Sequence, residues 1–236
     1  MKEFTTEEVK KFYDELDSIW KEEEKWYYVM RDALRSFLHR LDWDKESYVL
    51  NAGSGNTDYG LPYRVHYSDI SDKHMKGRED FTHASVEDLP FEDNTFDHAF
   101  CIGTVLNYTD SEKSIAELAR VIKPGGELVL EFESSLSYQH KDKPSYGMGK
   151  GPVTVEFYGE YHHHLLYSES YVIQMCERFG LKLRNAERFH ILSALVLSET
   201  KDEIGSAKFI EFDSTARGTA MEKHANNIIL RLEKAS

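Results

Sequence analysis

A short apolar run, Tyr48-Val49-Leu50, passes directly into the small-residue stretch Asn51-Ala52-Gly53-Ser54-Gly55-Asn56, and a second run, Arg64-Val65-His66-Tyr67-Ser68, ends on Asp69. In open α/β sheets ligands bind beyond the carboxyl ends of the strands, where glycines let the backbone come close. A carboxylate closing the next strand can then accept both hydroxyls of a ribose. A Gly-Ser-Gly by itself says little, but between a strand and a correctly spaced acid it points to a nucleotide-like ligand. The tight-turn role of Gly53 and Gly55, and a solvated strand end at Asp69, are the plainer alternatives.

The remaining pattern predicts an α/β fold. Apolar residues at helical spacing (Val9, Phe12, Tyr13, Leu16, Ile19, Trp20) follow a capping signature of Thr5 and Glu8, and Tyr27 to Leu41 repeats the pattern. Phe96 to Ile102 is a buried strand, and Ser111 to Ile122 a helix capped by Asp110 or Ser111. Lys123-Pro124-Gly125-Gly126 turns that helix into the strand Glu127 to Phe132. Strand alternating with helix implies a mostly parallel sheet with helices on both faces. Residues 133–151, polar and rich in Ser, Lys and Gly, are expected to be a mobile loop. A hairpin over 153–158 and 162–167, a helix over 170–179, a strand over 188–196, a helical stretch over 202–224 and a strand over 227–232 complete the pattern. The expected organisation is an N-terminal helical cap, 1–45, on a single compact unit, 46–236.

The chain has 236 residues, with 29 basic against 42 acidic and a net charge of −13, so it repels phosphate backbones and anionic lipid. Neither a nucleic acid nor a membrane is expected as partner. Only two cysteines occur, and the first residues hold no apolar signal-peptide core, so the expected location is cytoplasmic.

Three segments resemble the class I S-adenosylmethionine (SAM)-dependent methyltransferases, in particular the ubiquinone/menaquinone type. Val49 to Gly55 is similar to the family's glycine loop, and Tyr67-Ser68-Asp69-Ile70-Ser71 to its ribose-binding strand end. The third is the most specific. Glu87-Asp88-Leu89-Pro90-Phe91 and Asn94-Thr95-Phe96-Asp97 lead through Val105-Leu106-Asn107-Tyr108 to Leu118-Ala119-Arg120-Val121-Ile122-Lys123-Pro124-Gly125-Gly126. The likeness covers residues 47–132. It implies a Rossmann-like seven-stranded sheet, SAM as cofactor with S-adenosylhomocysteine as product, and methyl transfer; the acidic charge favours a small-molecule acceptor, and a monomer or homodimer is expected. Asn51, Gly53, Ser54 and Gly55 would approach the methionine and ribose part, Asp69 the ribose hydroxyls and Ile70 the adenine face. Val86 and Glu87 would flank the adenine edge, while Ile102 and Gly103 would close the pocket beneath the sulfonium. A catalytically silent SAM-binding subunit is an alternative. An NAD-dependent oxidoreductase is another, disfavoured because Asp58 stands where its fingerprint needs glycine.

The departures are concrete. Asn51 stands where the family usually has an acid, Ser85 where it often has aspartate, and Asn107-Tyr108 where it has an acid–histidine pair. Thirteen residues, Pro62 among them, separate Gly55 from Asp69, so the first crossover helix is expected to be very short or missing. The N-terminal helices are expected to compensate through Tyr27, Tyr28 or Arg31. Tyr108, Tyr158, His162 and His163 are the candidates for acceptor contact. His162, His163 and Tyr108 are also the first candidates for a base. His162 and His164 would share one strand face, with His163 on the other, and no third ligand is placed to make a metal site.

Overall fold

The protein is described from a computed structural model, over residues 6–16, 25–55, 57–73, 75, 77–157 and 160–236. The capping Thr5, the expected helical Ile19 and Trp20, and Tyr158 lie outside the described residues. Two helices, α1 (Thr6–Glu15) and α2 (Lys25–His39), precede the strands β1 (Tyr48–Ala52), β2 (Arg64–Asp69), β3 (Phe81–His83) and β4 (Phe96–Cys101). Then come α3 (Ser111–Val121), β5 (Ile122–Glu133), β6 (Lys150–Phe157), β7 (Glu160–Tyr167), α4 (Glu169–Arg178) and β8 (Leu181–Phe189). The helices α5 (Leu192–Thr200), α6 (Glu203–Ala207) and α7 (Asp213–Ala216) lead to the last strand, β9 (Asn227–Lys234).

Seven strands form one sheet in the order β3-β2-β1-β4-β5-β9-β8, parallel except for β9, which runs antiparallel to both neighbours. Alternation along the strands divides the core between its two faces. Leu50, Ala99, Leu128, Leu130 and Leu230 pack with Ile115 and Leu118 of α3 and Val172 and Met175 of α4. Val49, Phe100, Val129 and Ile229 pack with Met30, Leu34, Phe37 and Leu38 of α2. Among the described residues no helix lies between β1 and β2, β2 and β3, or β3 and β4. The N-terminal α2 therefore covers the sheet face that a first crossover helix would otherwise cover.

Arg120 of α3 fastens the loop before β4. It donates to the carbonyls of Phe91 (2.6 Å) and Leu89 (2.9 Å), and Glu117, which pairs with it, accepts the Leu89 N–H at 2.8 Å. Replacing Arg120 by methionine leaves those carbonyls without donors. The expected loss is about 1–2 kcal/mol, read as a lower urea midpoint at unchanged slope.

Several local expectations need correction. Asp110 alone caps α3, its side chain accepting from Glu112 N and Lys113 N. The segment expected as a strand over 188–196 splits: β8 ends at Phe189, His190 takes a left-handed φ of 54°, and α5 begins at Leu192. Asp213 accepts the N–H groups of Ile191 and Leu192 at 3.0 and 2.8 Å, which supplies the helix start. The helical stretch over 202–224 is broken into short pieces, with Gly218 at φ 73°. Residues 133–151 are packed rather than an open loop. Ser134 N–H donates to Asn226 (2.8 Å) and Ser135 N–H to Tyr167 (2.9 Å), and Ser137, His140 and Ser145 are buried. β6 and β7 pair as a separate two-stranded sheet, one residue of it within reach of Ser134. No helix among the described residues is long and apolar enough to cross a membrane.

Candidate functional site

The carboxyl ends of β1, β2 and β4 open onto one cleft. Its walls include Asn51, Gly53, Ser54, Gly55, Asp69, Ile70, Ser85, Val86, Ile102, Gly103 and Tyr108, together with Val9 and Tyr13 of α1. Gly53 has φ 69°, and a side chain there would come within 2.6 Å of a Val105 methyl, so the position demands glycine twice over. The N–H groups of Gly53 and Ser54 both donate to the Ser68 carbonyl, at 2.9 and 3.0 Å, which draws the loop onto the end of β2.

Asp69 organises the cleft floor. One carboxylate oxygen accepts Gly55 N–H at 2.8 Å and the other accepts Ser71 N–H at 2.8 Å. Asn51 is buried, and its amide nitrogen has no hydrogen-bond partner among the described residues. A buried donor without an acceptor is costly, and its place on the cleft wall makes a ligand the natural acceptor. Of the N-terminal residues expected to help hold the ligand, α1 contributes Val9 and Tyr13 instead. Tyr27 lines a neighbouring cavity, and Tyr28 is exposed beneath the Arg31 guanidinium.

Glu87 is turned away from the cleft. Its carboxylate accepts Asp110 N–H at 2.6 Å and so secures the approach to α3. Ser85 occupies the cleft wall instead, and its hydroxyl accepts Glu87 N–H at 3.2 Å.

Behind the cleft wall, Glu131 of β5 is fully buried. One of its oxygens accepts the N–H groups of Gly103 (2.9 Å) and Thr104 (2.7 Å), and the other accepts Asn227 Nδ2 at 2.7 Å. Gly103 and Thr104 both lie at positive φ, 85° and 62°. A non-glycine residue there is strained, so this carboxylate holds the turn that closes the cleft. Burial pushes the Glu131 carboxyl up to about 7 against the pull of those three donors.

A second cavity adjoins the first through Tyr13, Gly103 and Tyr108. Trp26, Tyr27, Met30, Glu133 and His164 are among its walls. The Tyr108 ring stands edge-on to Tyr13 (6.1 Å between centroids) and to His164 (5.2 Å). Burial raises the phenols of both tyrosines, so both keep their protons at neutral pH. His162 and His163 are not on the walls of either cavity. His162 packs on Phe12 with centroids 4.0 Å apart, and His163, on the opposite strand face, has Nδ1 2.7 Å from the Thr154 hydroxyl. The residues that sequence reasoning missed here are His164, Glu131 and Glu133. The alternation of the three-histidine run held the only signal for His164, since it left open which face turns inward.

A family described as a methyltransferase domain matches residues 51–130. The chain is 32% identical, over 162 residues, to a ubiquinone/menaquinone biosynthesis C-methyltransferase of Marinomonas sp. (strain MWYL1), covering 52% of this chain and 64% of that one. The chain thus spans less than two thirds of the curated relatives it matches first. Among solved structures, the PH0226 protein of Pyrococcus horikoshii OT3 superposes with a TM-score of 0.65 at 16% identity, covering 96% of this chain and 99% of that one. A SAM-dependent methyltransferase structure from Listeria monocytogenes gives 0.63 at 10% identity, covering 89% and 100%. At these identities the structural matches speak to the fold.

Proposed function

We propose that this chain is a class I SAM-dependent methyltransferase that moves a methyl group from SAM to a small-molecule acceptor and releases S-adenosylhomocysteine. The carrying observation is the joining of the glycine loop to Asp69 beside a buried Asn51 amide nitrogen that has no partner among the described residues, at the carboxyl ends of parallel strands. These residues fit the cofactor. Gly53, Ser54 and Gly55 offer close backbone, Asn51 offers a donor, Asp69 accepts ribose hydroxyls, and Ile70 and Val86 supply an apolar wall for the adenine. Bound there, the cofactor supplies a methyl group already activated on a sulfonium. The protein's own task is then to align the acceptor and exclude water. Tyr13 of α1 and Tyr108, which face both cavities, divide the cofactor from the acceptor and cover the transfer point. The net charge of −13 supports a small acceptor over a nucleic acid.

Calorimetric titration with S-adenosylhomocysteine tests the reading, with NAD as control ligand. Micromolar binding of the first and none of the second is the expected result. NAD binding in its place, or binding of neither, would remove the proposal.

A further inference from the structure

The second cavity combines aromatic walls with one inward carboxylate, a pairing the cofactor cleft does not use. Its volume of about 500 Å3 is in the range of small-ligand sites. Tyr13, Trp26, Tyr27 and Tyr108 contribute four rings to the walls. Trp26 is stacked on the buried His190 with centroids 3.9 Å apart, and Tyr13 stands edge-on to Tyr108 at 6.1 Å, contacts that fix these rings in place. The face of an aromatic ring is electron-rich and attracts an ammonium group, the more so out of water.

Glu133, at the end of β5, lies on the same walls. Its Oε2 is 3.2 Å from His164 Nε2 and 3.7 Å from His140 Nε2. Its other oxygen, Oε1, accepts no hydrogen bond from the described residues. The side chain keeps 20% of its surface exposed, against 3% and 1% for the two histidines, so it is the carboxylate that a ligand can reach. Burial by itself would raise the Glu133 carboxyl, but the two imidazoles outweigh it and hold it well below the ordinary carboxylate range. The other wall charges do not cancel it. Lys143 and Lys201 are exposed, and Lys201 lies 3.8 Å from Asp142. Glu156 and Glu203 stand against those two lysines, which leaves the charge of Glu133 in excess. A carboxylate drawn partly out of water among rings is best satisfied by a cation that both can hold.

We infer that the acceptor bound in the second cavity is a small organic cation, a flat molecule bearing an ammonium group that sits between the aromatic rings and the Glu133 carboxylate. The inference rests on the methyltransferase reading above and names the acceptor class for it. Glu133 and the rings act here in binding: they select the charge of the acceptor and set where it lies beside Tyr108, the residue shared with the cofactor cleft.

The test is calorimetric and begins with S-adenosylhomocysteine alone. Protein saturated with that ligand, its cofactor cleft filled, is then titrated at about pH 8, where ordinary imidazoles are neutral and alkylamines are protonated. Tryptamine, tryptophol and indole-3-propionate share one ring system and differ in charge. Benzyltrimethylammonium against benzyl alcohol repeats the comparison with a cation that has no N–H. The expected result is that each cation binds about tenfold or more tightly than its neutral counterpart, with indole-3-propionate weakest. Glu133→Gln should weaken both cations about tenfold or more and leave the neutral probes within about threefold, with binding of S-adenosylhomocysteine retained. Should that variant lose S-adenosylhomocysteine binding through misfolding, Tyr27→Leu carries the comparison, its loss falling about threefold or more harder on benzyltrimethylammonium than on benzyl alcohol. Equal binding of cationic and neutral probes, preference for the anion, or a cation preference unchanged in both variants would each overturn the assignment. So would binding of none of the probes by a protein that binds S-adenosylhomocysteine. Failure of wild-type protein to bind S-adenosylhomocysteine would instead bring down the reading on which it rests.

Discussion

Asp69→Ala is expected to weaken binding of S-adenosylhomocysteine about 100-fold or more. Two losses combine. On the proposed reading the carboxylate can no longer accept the ribose hydroxyls, and hydrogen bonds to a charged group are worth about 1.5–3 kcal/mol each. The Gly55 and Ser71 N–H groups also lose their acceptor, so the loop and the end of β2 are no longer tied to each other. Asp69→Asn keeps one oxygen acceptor and should fall between the two. Calorimetry on the three proteins, with thermal unfolding alongside, separates loss of the ligand contact from loss of the loop. Equal affinity in wild type and Asp69→Ala would show that the cleft holds its ligand by other groups.

The second large effect is on stability. Glu131→Ala leaves Gly103 N–H, Thr104 N–H and Asn227 Nδ2 buried without their acceptor, and it releases a turn held at positive φ. The expected cost is about 3–5 kcal/mol, a large share of the stability of a domain this size. Glu131→Gln keeps an oxygen for the two backbone donors and should cost markedly less. The wild-type carboxyl also imposes a pH dependence. Its folded value is raised by burial to about 7, above the ordinary 4.5 of the unfolded chain. The folded protein therefore keeps a proton that the unfolded chain releases. That contribution is full below about pH 4.5 and is lost as pH rises through about 7. Urea unfolding at a series of pH values should show this decline in wild type and not in Glu131→Gln. Parallel pH profiles for the two proteins would assign the slope to other groups.

The parallel half of the sheet was legible because its signals are local. Val49-Leu50 running into glycines and Asp69 at a strand end each force a conformation on their own neighbourhood, whereas the turn expected over Lys123 to Gly126 is part of β5. The short Gly55–Asp69 interval likewise predicts a first crossover helix that is very short or missing, and none is present among the described residues. What escaped depends on tertiary pairing. Ile191 to Val196 is apolar but for Ser193, and such a run suits a buried strand as well as a helix. The decision is made by Asp213, distant in sequence, which caps the helix. Glu131 and Glu133 alternate with apolar residues just as a solvent-facing strand residue would, yet one is fully buried beneath Gly103 and the other sits between two histidines. Glu87, expected at the adenine edge, instead has its carboxylate accepting the Asp110 N–H.

The packing of α2 on Val49, Phe100, Val129 and Ile229 bears on how this chain can be divided. A fragment beginning near residue 46 would contain every strand of the sheet and present a bare greasy plane to water, a surface inviting self-association. Swapping the front end of the chain for that of another protein would likewise require a helix that fits those four side chains. The opening segment is thus a structural wall of the sheet and of the cleft, and mutations in it should register at the cleft as readily as mutations beside the glycines.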